Sequence, residues 1–203
     1  MLRWFASTQI RNAACLGGNL VTASPISDMN PMLAACGATL RVASAARGDR
    51  TVAVASFFKA YRTVDLAADE IVVSVHVPHA HEDAFVRPFK QARRREDASV
   101  LSIATRPSLT SHPHPPHSQA RRREDDISIV TAGIHVRLTP TDGAWKVAEA
   151  TLAFGGLAPT VVLAPKAAAA LVGASWDEAT VGTACAALTD ELRVPLSAPG
   201  GQP

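Results

Sequence analysis

The stretch Cys15-Leu16-Gly17-Gly18-Asn19, with Asp28 following in Ser24-Pro25-Ile26-Ser27-Asp28-Met29-Asn30-Pro31, concentrates the residue types best suited to binding chemistry. Two adjacent glycines permit positive φ and close approach of the backbone, so bare N–H groups can face an anion such as a phosphate. Asn19 and Asp28 add an amide and a carboxylate that can take hydrogen bonds from hydroxyls. Together these groups suit a large polar cofactor. The same Gly-Gly-Asn also serves as an ordinary tight turn, and Asp28 equally suits a helix N-cap. Elsewhere, Lys90 reads by itself as a solvated surface charge, and Phe5 and Val72 as core. His112, His114 and His117 lie in His-Pro-His-Pro-Pro-His, where the prolines oppose the convergence that a metal site needs, and no metal is expected. No G-x-G-x-x-G, Walker loop, iron–sulfur cysteine set or Ser-His-Asp arrangement is present, so redox chemistry here requires a borrowed cofactor.

The elements that must carry these groups can be read from periodicity. The glycine turn leads into Leu16 to Val21, and a short helix is expected from about Asn30 to Cys36, N-capped by Asp28 and stopped by Gly37. Leu40 to Ala45 and Thr51 to Ala55 alternate about Arg47-Gly48-Asp49-Arg50 and read as a hairpin. Ser56 to Val64 reads as a turn or short helix packed under it. Ile71 to Val77, β-branched and closed by Pro78, reads as a strand. Beyond a boundary near Pro78 to Asp83, strands are expected over Phe85 to Gln91, Ile127 to Leu138 and Trp145 to Phe154, the last two joined by a turn at 139–143. Ala-rich helices follow at about Pro165 to Val172 and Trp176 to Leu192, the second with Val181, Cys185, Leu188 and Leu192 on one face. The fold class is α+β, in two linked subdomains.

Composition bounds the function classes. The 203 residues are 47% hydrophobic and 19% charged, enough to bury a real core. A net charge of +2 gives no reason to expect nucleic acid or a membrane surface as partner. Cys15, Cys36 and Cys185 form no C-x-x-C pair and read as reduced thiols. No apolar run of ~18 residues exists to span a membrane, and no signal-peptide h-region opens the chain. A cytoplasmic protein is expected, with the peroxisome as the alternative.

One segment appears twice. Gln91-Ala92-Arg93-Arg94-Arg95-Glu96-Asp97 recurs unchanged as Gln119-Ala120-Arg121-Arg122-Arg123-Glu124-Asp125. Residues 98–118 between the copies are rich in Ser, Pro and His, a composition that does not offset its ordering entropy, so a disordered insertion is expected there. Deleting one copy with the spacer gives Phe89-Lys90-Gln-Ala-Arg-Arg-Arg-Glu-Asp followed directly by Asp126-Ile127. A retained intron or an assembly duplication explains this pattern.

Arg3-Trp4-Phe5-Ala6, Gln9-Ile10-Arg11-Asn12, Leu16-Gly17-Gly18-Asn19, Ser24-Pro25-Ile26-Ser27-Asp28 and Asn30-Pro31 closely resemble, in order and spacing, the flavin-binding domain of the xanthine dehydrogenase/oxidase family of molybdenum hydroxylases. The likeness continues through Phe57-Phe58, Tyr61-Arg62, Glu70-Ile71, Phe89-Lys90-Gln91-Ala92, Arg94-Arg95-Glu96-Asp97, Gly155-Gly156 and Ala198-Pro199-Gly200-Gly201, sparing only about 98–118. It implies the C-terminal half of an FAD-binding subdomain over 1–78, then an antiparallel-sheet-and-helices subdomain of the carbon monoxide dehydrogenase flavoprotein C-terminal type over 85–97 and 119–195. Residues 196–203 form a tail.

The resemblance further implies FAD contacts from Phe5, Cys15, Leu16, Gly17, Gly18, Asn19, Asp28, Val72 and Lys90. Backbone N–H groups would meet phosphates, Asp28 a sugar hydroxyl and Lys90 the flavin. Cys15 stands where the family usually has a small hydroxyl residue, and Val72 where it usually has leucine. Arg95 and Asp97, or their copies Arg123 and Asp125, would belong to a mobile loop beside the flavin, which here carries the insertion. In that family electrons from purine hydroxylation at a molybdopterin centre pass through two [2Fe–2S] clusters to FAD, and then to NAD or oxygen, within a homodimer. None of the iron–sulfur or molybdenum domains lies in this sequence, which opens on an internal-looking element and reads as a fragment or truncated gene model. An aldehyde oxidase-like flavin domain and a non-catalytic truncated product that binds no flavin are the alternatives.

Overall fold

A computed structural model describes residues 1–2, 5–92, 117–119, 127–141 and 143–195. The chain runs α1 (Thr8–Ala13), α2 (Leu16–Thr22), α3 (Asn30–Ala35), β1 (Thr39–Ser44), β2 (Gly48–Ala53), α4 (Val54–Phe57), β3 (Phe58–Ala60), β4 (Thr63–Val64) and β5 (Glu70–His76). It continues through β6 (Ala84–Gln91), β7 (His117–Gln119), β8 (Val130–Thr141), β9 (Ala144–Gly155), β10 (Val162–Leu163), α5 (Pro165–Leu171) and α6 (Glu178–Glu191).

Strand β1 is central in a three-stranded antiparallel sheet of order β2-β1-β5. Its alternation sends Leu40 and Val42, both fully buried, into a core shared with Leu20, Leu33, Val54 and Phe57. The segment expected as a turn or short helix at 56–64 divides. Phe57 ends the single-turn α4 and plugs the core, after which β3 and β4 form a small two-stranded ribbon.

The second sheet has the order β10-β9-β8-β6-β7. The β8–β9 hairpin closes with Thr141 opposite Ala144, and β6 lies antiparallel to β8. One face of the sheet is covered by α5 and α6, which bury Ala167, Ala168, Leu171 and Ala184 against Phe89, Val136, Leu138 and Phe154. Asp177 starts α6 by accepting the Thr180 N–H at 2.8 Å, and this lowers its carboxyl pKa. The face expected on α6 is close to the observed one: Val181 and Ala184 are buried, and Leu188 and Leu192 pack on the core.

Helix α3 ties the two sheets together. Its apolar side joins the first core, while its start lies on β8 and β9, and Ala153 and Val161 of the second part are members of the first core. Covered on both faces, β8 is buried continuously at Thr131, Ala132 and Gly133 instead of alternating. A Cβ placed on Gly133 would sit 2.3 Å from the Pro31 carbonyl oxygen, so the α3 backbone can seat there only against a glycine.

Part of the segment expected to be disordered is a strand. His117–Gln119 pairs in parallel with the end of β6, placing Gln119 beside Gln91. The remainder of the insertion, with His112 and His114, lies outside the described residues, as do Arg95, Asp97, Arg123, Asp125 and the tail from 196.

Candidate functional site

The glycine pair does not form a turn. Gly17 and Gly18 occupy the first turn of helix α2, with Cys15 at the N-cap, and neither has positive φ. The first bond of the helical ladder runs from the Asn19 N–H to the Cys15 carbonyl at 3.1 Å, so the N–H groups of Leu16, Gly17 and Gly18 precede it. Cys15 makes no side-chain cap, and both Cys15 and Leu16 are exposed. Among the described residues, added side chains at Gly17 and Gly18 would meet only Cys15 atoms, at 3.8 and 3.9 Å. Alanine would fit both places and favour the helix, each glycine costing up to ~1 kcal/mol against it. No packing among the described residues therefore explains the pair, whereas bare N–H groups at a helix start suit close approach by a phosphate.

Asn19, one turn along, is tied to the loop that carries Asp28. Its Oδ1 accepts the Ser27 hydroxyl at 2.8 Å, while Ser27 Oγ accepts the N–H groups of Met29 and Asn30 at 3.3 and 3.2 Å. Ser27 thus provides the cap expected from Asp28, and Met29 holds the N-cap position of α3. Freed from capping, Asp28 turns inward. Its Oδ2 receives Lys90 Nζ at 2.8 Å and its Oδ1 receives the Ser128 hydroxyl.

Lys90 is therefore not a solvated surface charge: its side chain is 4% exposed and that of Asp28 is 8%. A buried pair of this kind needs its remaining lone pairs and protons satisfied to offset desolvation. Thr131, fully buried, adds a donor to the Ser27 carbonyl at 3.1 Å. Next to this set, Asn30 is fully buried with neither side-chain oxygen nor nitrogen bonded among the described residues, an orphaned amide worth about 1–3 kcal/mol of lost solvation. The Met1 α-amino group also lies near: burial lowers its pKa, and the Asp28 charge opposes that shift.

The structure thus brings Asn19, Asp28 and Lys90 to one loop, Asn19 bonded to Ser27 and Lys90 to the adjacent Asp28, with Cys15, Leu16, Gly17 and Gly18 attached through α2. Val72 instead packs on the first core, in the strand β5 against which α2 lies. Phe5 is half-buried, its carbonyl held by Arg11 Nη1 at 2.8 Å. Sequence reasoning missed Ser27, Ser128 and Thr131. Ser27, three residues before Asn30-Pro31, had the spacing of a cap; the other two were signalled by nothing local.

The arrangement combines helix-start N–H donors, a buried carboxylate acceptor and an ammonium, a donor set that fits the phosphates and sugar hydroxyls of a dinucleotide such as FAD. Residues 1–80 match the family model for the FAD binding domain in molybdopterin dehydrogenase, and residues 117–203 that for the CO dehydrogenase flavoprotein C-terminal domain. The chain is 41% identical over 201 residues to a nicotinate hydroxylase of Emericella nidulans, matching 98% of this chain and 13% of that protein. It is 40% identical over 201 residues to the xanthine dehydrogenase/oxidase of Gallus gallus, matching 98% of this chain and 12% of that protein. In fold it is similar to a structure of carbon monoxide dehydrogenase from Hydrogenophaga pseudoflava, with a TM-score of 0.73 at 21% identity over 95% of this chain and 55% of that one. The sequence expectations of cofactor class and of an α+β fold agree with these matches, and the chain belongs to the FAD-binding flavoprotein domains of the molybdopterin dehydrogenases.

Proposed function

We propose that this chain forms one wall of the FAD site of a xanthine dehydrogenase-like molybdenum hydroxylase. The glycine pair at the start of α2 carries this reading, because a ligand's close approach accounts for two helix-weakening residues that no packing among the described residues requires. The N–H groups of Leu16, Gly17 and Gly18 take phosphate oxygens, with Cys15 contributing its backbone. Asp28, paired with Lys90, accepts a sugar hydroxyl, and the Lys90 ammonium offsets negative charge on the ring system. Phe5 and Val72 supply apolar contact. FAD, when bound, supplies the two-electron carrier chemistry; the chain positions it and keeps the site electrostatically matched.

The two parts of the chain, 1–78 and 85–97 with 119–195, act as one flavin unit. Its electrons come from iron–sulfur and molybdenum domains of the same polypeptide and leave for NAD or oxygen at the loop bearing Arg95 and Asp97 or Arg123 and Asp125. The substrate is a purine such as hypoxanthine or xanthine, the assembly a homodimer and the compartment the cytoplasm.

The test is a titration of the 203-residue chain with FAD, read by quenching of flavin fluorescence. Saturable binding is expected, weakened about tenfold or more in Asp28→Asn, which loses a charge-assisted hydrogen bond. A folded chain that stays colourless at high FAD would overturn the reading and leave a non-catalytic product.

A further inference from the structure

We infer that Thr131, a residue of the second sheet, is the positioning residue for the Asp28 loop and hence for the ligand site that the first part of the chain presents. This rests on the flavin reading above and extends it across the two sheets. Thr131 is fully buried, and its hydroxyl donates to the Ser27 carbonyl at 3.1 Å, immediately before Asp28. Ser27 is the hub of the loop: its own hydroxyl reaches Asn19 on α2 and receives the first N–H groups of α3. Fixing the Ser27 peptide therefore fixes three things at once: the start of α3, the link to α2 and the entry angle of Asp28.

The neighbouring strand is shaped to allow this bond. A Cβ on Gly155 would lie 2.5 Å from Thr131 Oγ1 and 2.6 Å from the Pro25 carbonyl oxygen, so the glycine leaves the space in which hydroxyl and loop meet. Lys90 on β6 and Ser128 just ahead of β8 then meet the Asp28 carboxylate from the same sheet. Among the described residues, every side-chain hydrogen bond to the Ser27 carbonyl and the Asp28 carboxylate comes from the second part of the chain. The ligand-facing loop belongs to one sheet and takes its coordinates from the other.

Two variants separate positioning from bulk. Thr131→Val keeps the branched shape and removes the donor; Thr131→Ser keeps the donor and removes a buried methyl. Each is compared with wild type, in the full 203-residue chain, by thermal melting, by FAD titration and by the 1H–15N cross-peak of the Lys90 ammonium, which is visible only while burial and hydrogen bonding, that to Asp28 included, slow exchange. Thr131→Val is expected to bind FAD about tenfold more weakly and to lose the ammonium signal. Thr131→Ser is expected to melt about 2–4 °C lower, to bind FAD within twofold of wild type and to keep the signal. The proposal is overturned if Thr131→Val keeps both binding and signal, or if both variants lose binding only in step with their melting temperatures. If wild type takes up no FAD, the flavin reading falls, and the ammonium signal alone then decides the role of Thr131.

Discussion

At the scale of single residues, two of the molecule's charged pairs are opposite in character. Lys90 and Asp28 are sequestered where a ligand site is proposed, while Arg50 and Glu70 tie together the sheet beneath it. Arg50 Nε and Nη2 each donate to a Glu70 oxygen at 2.8 Å, and the Ala67 N–H adds a third bond at 2.9 Å. The hydrogen bonds from Arg50, followed by that from Ala67, pull the Glu70 carboxyl from 4.5 to about 2. A carboxyl depressed in the folded state stabilises fully above its unfolded pKa and loses that contribution as pH falls through the folded one. The wild-type melting temperature should therefore carry a Glu70 component that is constant from pH 7 to 4.5 and disappears between 4.5 and about 2. Glu70→Gln should melt lower at pH 7 and converge toward wild type across that window, in melts taken at half-unit intervals. Parallel curves for the two proteins would show that the pair contributes nothing. The chemistry of the other pair was hidden from the sequence because Lys90 meets Asp28 across 62 positions, a separation at which no local pattern operates.

At the scale of elements, most of the secondary structure was legible because it rests on periodicity and punctuation. The β1–β2 hairpin, β5, the β8–β9 hairpin and both C-terminal helices lie close to where alternation, turn residues and Ala-rich runs put them. The start of α2 was misread because glycine pairs favour turns, and only tertiary support lets them open a helix. That misreading sharpens a test in which stability and binding separate. Among the described residues, Gly17→Ala and Gly18→Ala meet nothing but Cys15, so each should raise stability, by up to ~1 kcal/mol, while weakening FAD binding. Gly133→Ala is the contrast. Its Cβ would press into the Pro31 and Met32 backbone, which cannot rotate away as a side chain would, and a loss of about 1–3 kcal/mol is expected. Urea denaturation with parallel flavin titration measures both. Loss of stability in the α2 variants would show that the two glycines serve the fold, and the ligand argument built on them would fail.

At the scale of the whole molecule, the described residues that flank the duplicated segment belong to the framework of the site. Strand β6 keeps its full pairing with β8, from Ala84 opposite Arg137 to Gln91 opposite Val130, and the Ile129 N–H closes the neck on the Gln91 carbonyl at 2.7 Å. Lys90 lies on the sheet side of that neck and Ser128 on its other side, each bonded to the Asp28 carboxylate. The added strand β7 lies on the far side of β6, with Gln119 level with Gln91, so the two copies of the repeat begin side by side. Removing residues 92–119 restores one uninterrupted Gln-Ala-Arg-Arg-Arg-Glu-Asp and cuts the β6–β8 connection roughly fourfold, which lowers the entropy of closing it by about 1 kcal/mol. If β7 adds little, the shortened chain should melt about 2–4 °C higher than the full one. It should also retain the Lys90 ammonium signal, since both described partners of Asp28, Lys90 and Ser128, remain. A lower melting temperature, or loss of that signal, would instead make the inserted unit a working part of the fold, with the edge it adds to β6 as the source of its stability.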